Sequence, residues 1–283
     1  MDHEAILTDM PPRNYPGPIS VNQVSTLSWT MDQDALHAAE FGYDGLGLYR
    51  PKVDDHGIQE TVETLHHHRL RATSLGWAGG FTGIERSFDE AVADGIEAVH
   101  QSAEIGAEVL IVLAGGLNRH INTHARRMVV QALQRMGDAA AEVDVQLAIE
   151  PIHAGCGDEW SFIDNLTATR DVLTCVAHPN LGFVCDLYHL GLGDGWVDQL
   201  SEMTPLVRLV QVGDARGAPM GEMNRCALGE GCVDIAAMLR TVIAAGYQGP
   251  IEVELVGEDV ERLRYRERLG AARRYMDDIL RNR

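Results

Sequence analysis

Four apolar runs in this chain each finish on an oxygen-bearing side chain: Gln146–Glu150 (QLAIE), Leu181–Asp186 (LGFVCD), Leu206–Gln211 (LVRLVQ) and Pro250–Glu254 (PIEVE). Fully buried parallel strands read as continuous hydrophobic runs of this kind, because both of their faces are covered. A carboxylate at the C-terminal end of such a strand points into the mouth of a barrel, where that architecture keeps its chemistry. A lone acid at a strand end is usually just solvated. Three carboxylates and one amide from four strands (Glu150, Asp186, Glu254 and Gln211) instead make an oxygen-rich cage for a divalent cation.

The rest of the chain supports a barrel. Short apolar runs at Ile19–Val24, Gly45–Leu48, Arg71–Leu75, Val109–Leu113, Gln146–Glu150, Leu181–Asp186, Val207–Val212 and Pro250–Glu254 predict eight strands. Amphipathic stretches between and after them predict eight helices: Asp34–Phe41, Ile58–His67, Phe88–Ile105, Thr123–Val143, Asn165–Val176, Gly195–Met203, Ile235–Ala245 and Val260–Leu280. Glycines follow several of these helices (Gly42, Gly106, Gly246), as left-handed C-caps require. Strict alternation repeated eight times favours a (β/α)8 TIM barrel over a doubly wound sheet. The first strand is followed by Ser25-Thr26-Leu27-Ser28-Trp29, which is not a glycine-rich phosphate turn. The expected organisation is an arm over residues 1–18, loosened by Pro11, Pro12, Pro16 and Pro18, and one barrel over residues 19–283. The longest non-periodic connection, Gly213–Val233, is expected to fold over the mouth.

Charge narrows the partners. A formal net charge of -19 leaves no cationic surface for phosphates, which excludes nucleic acid. Lys52 is the only lysine, and the positive charge is almost entirely arginine. No stretch approaches roughly 18 uninterrupted apolar residues, so no membrane span is expected. The acidic, proline-rich beginning does not read as a signal peptide. Five cysteines without a CxxC spacing point to reduced thiols and a cytoplasmic location. A homo-oligomer is compatible with all of this.

Other residues invite chemistry. His189 follows Asp186 by three positions, so both can face one cavity. Glu252 should point the same way as Glu254 but deeper in the barrel, which favours Glu254 as the ligand. Asp214 follows Gln211 at a strand exit. His120, after Gly115-Gly116, is a reserve candidate for a base, and Trp77 and Trp29 are candidate aromatic walls of the cavity. The run His66-His67-His68 sits at a helix end and reads as a solvated surface.

The order of LAIEP, CDLYH, the Gln211-Val212-Gly213-Asp214 strand end and LGEGCVDIAAMLRTVIAAGYQGPIEVE resembles the xylose isomerase-like barrel superfamily. Within it, the likeness is to the sugar phosphate isomerase/epimerase group, over about residues 19 to 280. The resemblance implies one Mn²⁺, Mg²⁺ or Co²⁺ held by Glu150, Asp186, Gln211 and Glu254, with Gln211 where the group usually has histidine. That exchange makes the donor set harder and favours Mn²⁺ or Mg²⁺ over Zn²⁺. It also implies that the two glutamates exchange a proton beside a carbonyl of a small carbohydrate substrate, with His189 as a rival base. His153, His189 and Arg225 match substrate-side positions, and His120 and Trp77 are added to them as candidates. Cys156 stands where the epimerases usually carry a sugar-binding glutamate. The expected activity is therefore metal-dependent isomerisation or epimerisation of a sugar or keto-sugar. A lyase, dehydratase or 3-keto-glycoside-cleaving enzyme is the first alternative, and a non-catalytic, metal-free barrel subunit the second.

Overall fold

The computed structural model describes residues 15–83, 86–157, 159–192, 195–221, 223–261 and 263–281. Eight parallel strands close into a barrel in sequence order: β1 (Ile19–Asn22), β2 (Gly45–Tyr49), β3 (Arg71–Gly79), β4 (Val109–Leu113), β5 (Gln146–Ile149), β6 (Leu181–Asp186), β7 (Val207–Val212) and β8 (Ile251–Val253). β1 pairs with β8, so the sheet has no free edge. Both faces of the strands are covered. Leu110 and Val112 face the helices as part of the large outer core, while Val109, Ile111, Ala148, Val184 and Leu209 form a small separate core with Trp77 inside the barrel. Period-2 alternation then carries the interior positions upward, from Ala148 to Glu150, from Val184 to Asp186, from Leu209 to Gln211 and from Glu252 to Glu254.

The elements differ from the sequence reading where local chemistry outweighed pattern. The first helix begins at Met31, not Asp34, because Thr30 and Gln33 form a capping box. A helix over Arg50–His56 was not expected; Pro51 lies in its first turn, where proline is tolerated. β3 continues to Gly79 and so delivers Trp77 to the mouth. The last expected helix resolves into Glu258–Glu261 and Tyr265–Arg281. Of the arm, residues 1–14 lie outside the described residues. Its end is not loose: Tyr15 is buried, and its hydroxyl donates to the Gly249 carbonyl.

Glu252 occupies the interior below the mouth. It accepts hydrogen bonds from Asn22 Nδ2 (2.7 Å), Ser74 Oγ (2.8 Å), Gln211 Nε2 (3.0 Å) and Thr73 Oγ1 (3.2 Å). These donors come from β1, β3 and β7, so one side chain ties three other strands together. Gly47 makes room for it, since a Cβ there would lie 2.2 Å from Glu252 Oε2. Gly47→Ala is therefore expected to cost about 1–3 kcal/mol through overpacking. A urea unfolding midpoint unchanged from wild type would show that Glu252 has room to move.

Candidate active site

Glu150 and Glu254 lie one residue past their strands, yet their amides still bond the neighbouring strands, to Val112 O and Val212 O, both at 3.0 Å. Asp186 and Gln211 are register partners at the ends of β6 and β7. All four side chains are buried. Arg225 is buried with them, although it comes from the connection after β7. Its Nη2 sits 2.5 Å from Asp186 Oδ2 and 2.8 Å from Glu254 Oε1. The guanidinium also lies over the Tyr188 ring, 4.4 Å from its centroid. Gly213 gives the arginine passage, since a Cβ there would meet Arg225 Nε at 2.6 Å. Arg225 thus braces the carboxylates from behind; it does not line the cavity.

Crowding sets the electrostatics. Burial, and then the charges of Glu254 and Asp186, hold the Glu150 carboxyl well above the usual carboxylate range, with Arg225 only partly offsetting them. Burial likewise pushes Glu254 up to about 7 against the pull of Arg225, with Asp186 and Glu252 adding to the rise. Four carboxyl groups, counting Glu252, crowd a region that holds one guanidinium, and their mutual repulsion with burial favours the protonated forms.

His189 is buried beside them, with Nε2 3.6 Å from Asp186 Oδ2 and 3.8 Å from Glu150 Oε1. Potential ligand atoms of Glu150, Asp186 and His189 lie within 4.8 Å of one another. The imidazole tautomer tells against His189 as a ligand. The backbone N–H of His153 points at Nδ1 at 3.3 Å, and an N–H can only donate, so Nδ1 accepts and the proton sits on Nε2. Burial pushes the imidazole down to about 3, which keeps it neutral. His189 Nε2 therefore carries a proton, not a lone pair, and like Gln211 Oε1 it is buried without a hydrogen-bond partner.

Gln211 offers what His189 does not. Its Nε2 donates to Glu254 Oε2 at 2.8 Å and to Glu252 Oε1 at 3.0 Å, which fixes the amide orientation. The carbonyl Oε1 is left buried without a hydrogen-bond partner. An unpaired buried acceptor among excess carboxylates is the arrangement a cation completes. The donor set thus fits a hard divalent ion.

These groups open into a cavity of 470 Å³ lined by Glu150, Gln211 and Glu254, and on other sides by Trp77, Ile111, Trp160 and Met223. Several expected residues lie elsewhere. His120 stacks on His124 with ring centroids 5.0 Å apart and is not in the cavity wall. Trp29 packs on His37 and Tyr265, so it is no wall of the cavity. His153 caps the short turn Ala154–Cys156 through Nδ1 and touches the site through its backbone. Cys156 does line the cavity, and burial pushes its thiol up to about 11, so it remains protonated. Asp214 is a structural clasp, accepting from the amides of Ala215, Gly229, Gly231 and Val233. The Gly229-Glu230-Gly231 motif wraps this carboxylate. Two residues escaped the sequence reading. Asn22 ends β1 and obeys the same strand-end rule that found the acids. Trp160 sits in a loop after β5, on the face where loops carry function. Another cavity of 480 Å³ lies at the opposite end of the barrel, lined by Glu108, Arg208 and Tyr247 and away from these groups.

A sequence profile described as the xylose isomerase-like TIM barrel matches residues 36–278. The chain belongs to that family. An inosose isomerase of Bacillus velezensis is 19% identical over 271 residues, covering 92% of this chain and 95% of the relative. An L-ribulose 3-epimerase of a Methylomonas species is 25% identical over 235 residues, covering 79% and 77%. Among solved structures, the IolI protein with a bound zinc atom superposes with a TM-score of 0.81 at 18% identity, over 93% of this chain and 98% of the other. No helix of the described residues is long and apolar enough to cross a membrane.

A carboxyl whose folded pKa lies above its unfolded one favours folding at low pH. For Glu254 that contribution is present below 4.5 and is lost as pH rises through about 7. In chelator-treated protein, Glu254→Gln should therefore gain thermal stability relative to wild type as pH increases across that window. A difference in Tm that stays flat between those values would contradict the burial argument.

Proposed function

We propose that this chain is a divalent-metal-dependent isomerase or epimerase that moves a proton at a carbon beside the carbonyl of a sugar or keto-sugar. The observation that carries this reading is the excess of buried carboxylate around the unpaired Gln211 Oε1 at the cavity floor. The names of the relatives, isomerases and epimerases of polyhydroxylated substrates, agree with it. Glu150, Asp186, Gln211 and Glu254 would hold the ion, with Mn²⁺ or Mg²⁺ suited to an all-oxygen set. Once bound, the ion supplies Lewis-acid polarisation of a carbonyl and its neighbouring hydroxyl.

The residues of the chain do the rest. Glu150 and Glu254 both line the cavity, from strands three apart in the closed barrel. One takes the C–H proton, and the other is placed to return a proton from a different side. Arg225 holds Glu254 and Asp186 in position. His189, with an unpaired proton on Nε2, would donate to a substrate oxygen and is not the base. The apolar walls exclude water from the reacting carbon. Elimination of a β-substituent is a second outcome of the same proton abstraction, favoured by Cys156, which puts a neutral thiol where the epimerases usually place a sugar-binding glutamate.

Purified protein reconstituted with Mn²⁺ should retain one ion per chain. Gln211→His should keep that ion, and Gln211→Leu should bind it more weakly while remaining folded. Undiminished Mn²⁺ affinity in Gln211→Leu would remove Gln211 from the ligand set. A barrel that holds no stoichiometric ion would support a non-catalytic role.

Solvent deuterium should enter the substrate C–H position in wild type. Glu254→Gln keeps an oxygen donor but loses the base, so it should turn over at least ~10²-fold more slowly with Mn²⁺ retained. Near-normal turnover in that variant would move the proton transfer to Glu150.

A further inference from the structure

The two halves of the barrel mouth are chemically unlike. β5, β7 and β8 bring Glu150, Gln211 and Glu254 to the cavity, whereas β2, β3 and β4 bring Leu48, Trp77, Ile111 and Leu113. On the latter side, β1 contributes Asn22 next to β8, but its side chain is engaged by Glu252 and by the Val24 amide. Tyr49 is the other polar group described there, and its ring packs against Trp77 at 5.5 Å. Trp160 reaches over from the loop after β5 and meets Trp77 edge-on, 5.8 Å between centroids.

A free hexose carries an oxygen on every carbon. Aromatic faces alone would accommodate its C–H groups, but the aliphatic wall of Leu48, Ile111 and Leu113 would not. Each hydroxyl turned toward that wall gives up its hydrogen bonds to water and gains none. The volume of 470 Å³ lies within the roughly 300–1,000 Å³ of sites that take drug-sized ligands. A second cavity of 420 Å³ shares Trp77, Leu113, Trp160 and the neighbouring Glu159 with the first and continues toward the charged groups of Arg50, Arg86 and Asp94. The apolar side is therefore a passage, not a closed wall.

We propose that the substrate has two parts: a polyhydroxylated carbonyl portion at Glu150, Gln211 and Glu254, and an apolar, ring-sized substituent between the Trp77–Trp160 pair and the Ile111–Leu113 wall. The class is a keto-sugar bearing an aryl group, as in an aryl glycoside whose sugar ring carries a ketone. The polar half of this assignment rests on the proposed function; the apolar half rests on the lining of β2 to β4.

The test is calorimetric titration of the full chain, in Mn²⁺, with phenyl β-D-glucopyranoside and methyl β-D-glucopyranoside, unreactive analogues that lack the ketone and differ only in the apolar substituent. The phenyl glycoside should bind at least about tenfold tighter, as expected for burial of one aromatic ring. Trp160→Ala should abolish most of that preference, and Trp160→Phe should restore it. Equal affinities of the two glycosides in wild type, or a preference unaltered in Trp160→Ala, would overturn the two-part substrate. Stoichiometric Mn²⁺ on the same sample separates this failure from that of the proposed function, which loses its ground if no ion binds.

Discussion

Negative charge confined at the top of the barrel is what the rest of the site answers to. Strand closure forces Glu150, Asp186, Gln211 and Glu254 toward one axis, and Glu252 sits directly beneath them. Such crowding is tolerable only with compensation, and the chain provides it in three forms. Arg225 supplies charge, bonding two of the acids. Asn22, Thr73, Ser74 and Gln211 supply hydrogen-bond donors to Glu252. Burial supplies the remainder by favouring protonated carboxyls. Breaking a buried pair leaves an uncompensated charge and is strongly destabilising, so Arg225 is as structural as it is electrostatic. Its position depends in turn on the absence of a side chain at Gly213 and on the ring of Tyr188.

The barrel and the acids were legible because strand ends are written in the sequence. β4, β6 and β7 span the expected residues, and the helix Phe88–Ile105 does so too. Burial on both faces leaves an apolar run whose polar terminus stands out. What escaped depends on contacts between distant segments. The helix Arg50–His56 was not expected, and Pro51 fits its first turn. Nothing in the spacing of His153 and His189 reveals that a backbone amide sets the imidazole tautomer. Arg225 reads as a pocket residue until its depth is known. The LGEG segment reads as a family signature, but its job is to close around Asp214.

Low identity to the relatives is consistent with a division of labour around the ring of strands. The acids stand at the ends of β5, β6 and β8, which leaves β1 to β4 and the loops free to set the shape of the cavity. Substitutions on that side alter what fits, whereas substitutions among the acids alter what the site can hold. Cys156 belongs to the first kind: a small, neutral group at a place that chemistry does not require to be charged.

The clasp at Asp214 has a kinetic side. Four amides spread over nineteen residues converge on one carboxylate, so none of them is released without disturbing the bonds of the others. Such a connection does not fray residue by residue. The segment held by Asp214 should open as a cooperative unit, with Gly229, Gly231 and Val233 exchanging their amide hydrogens at a common rate set by a single opening event.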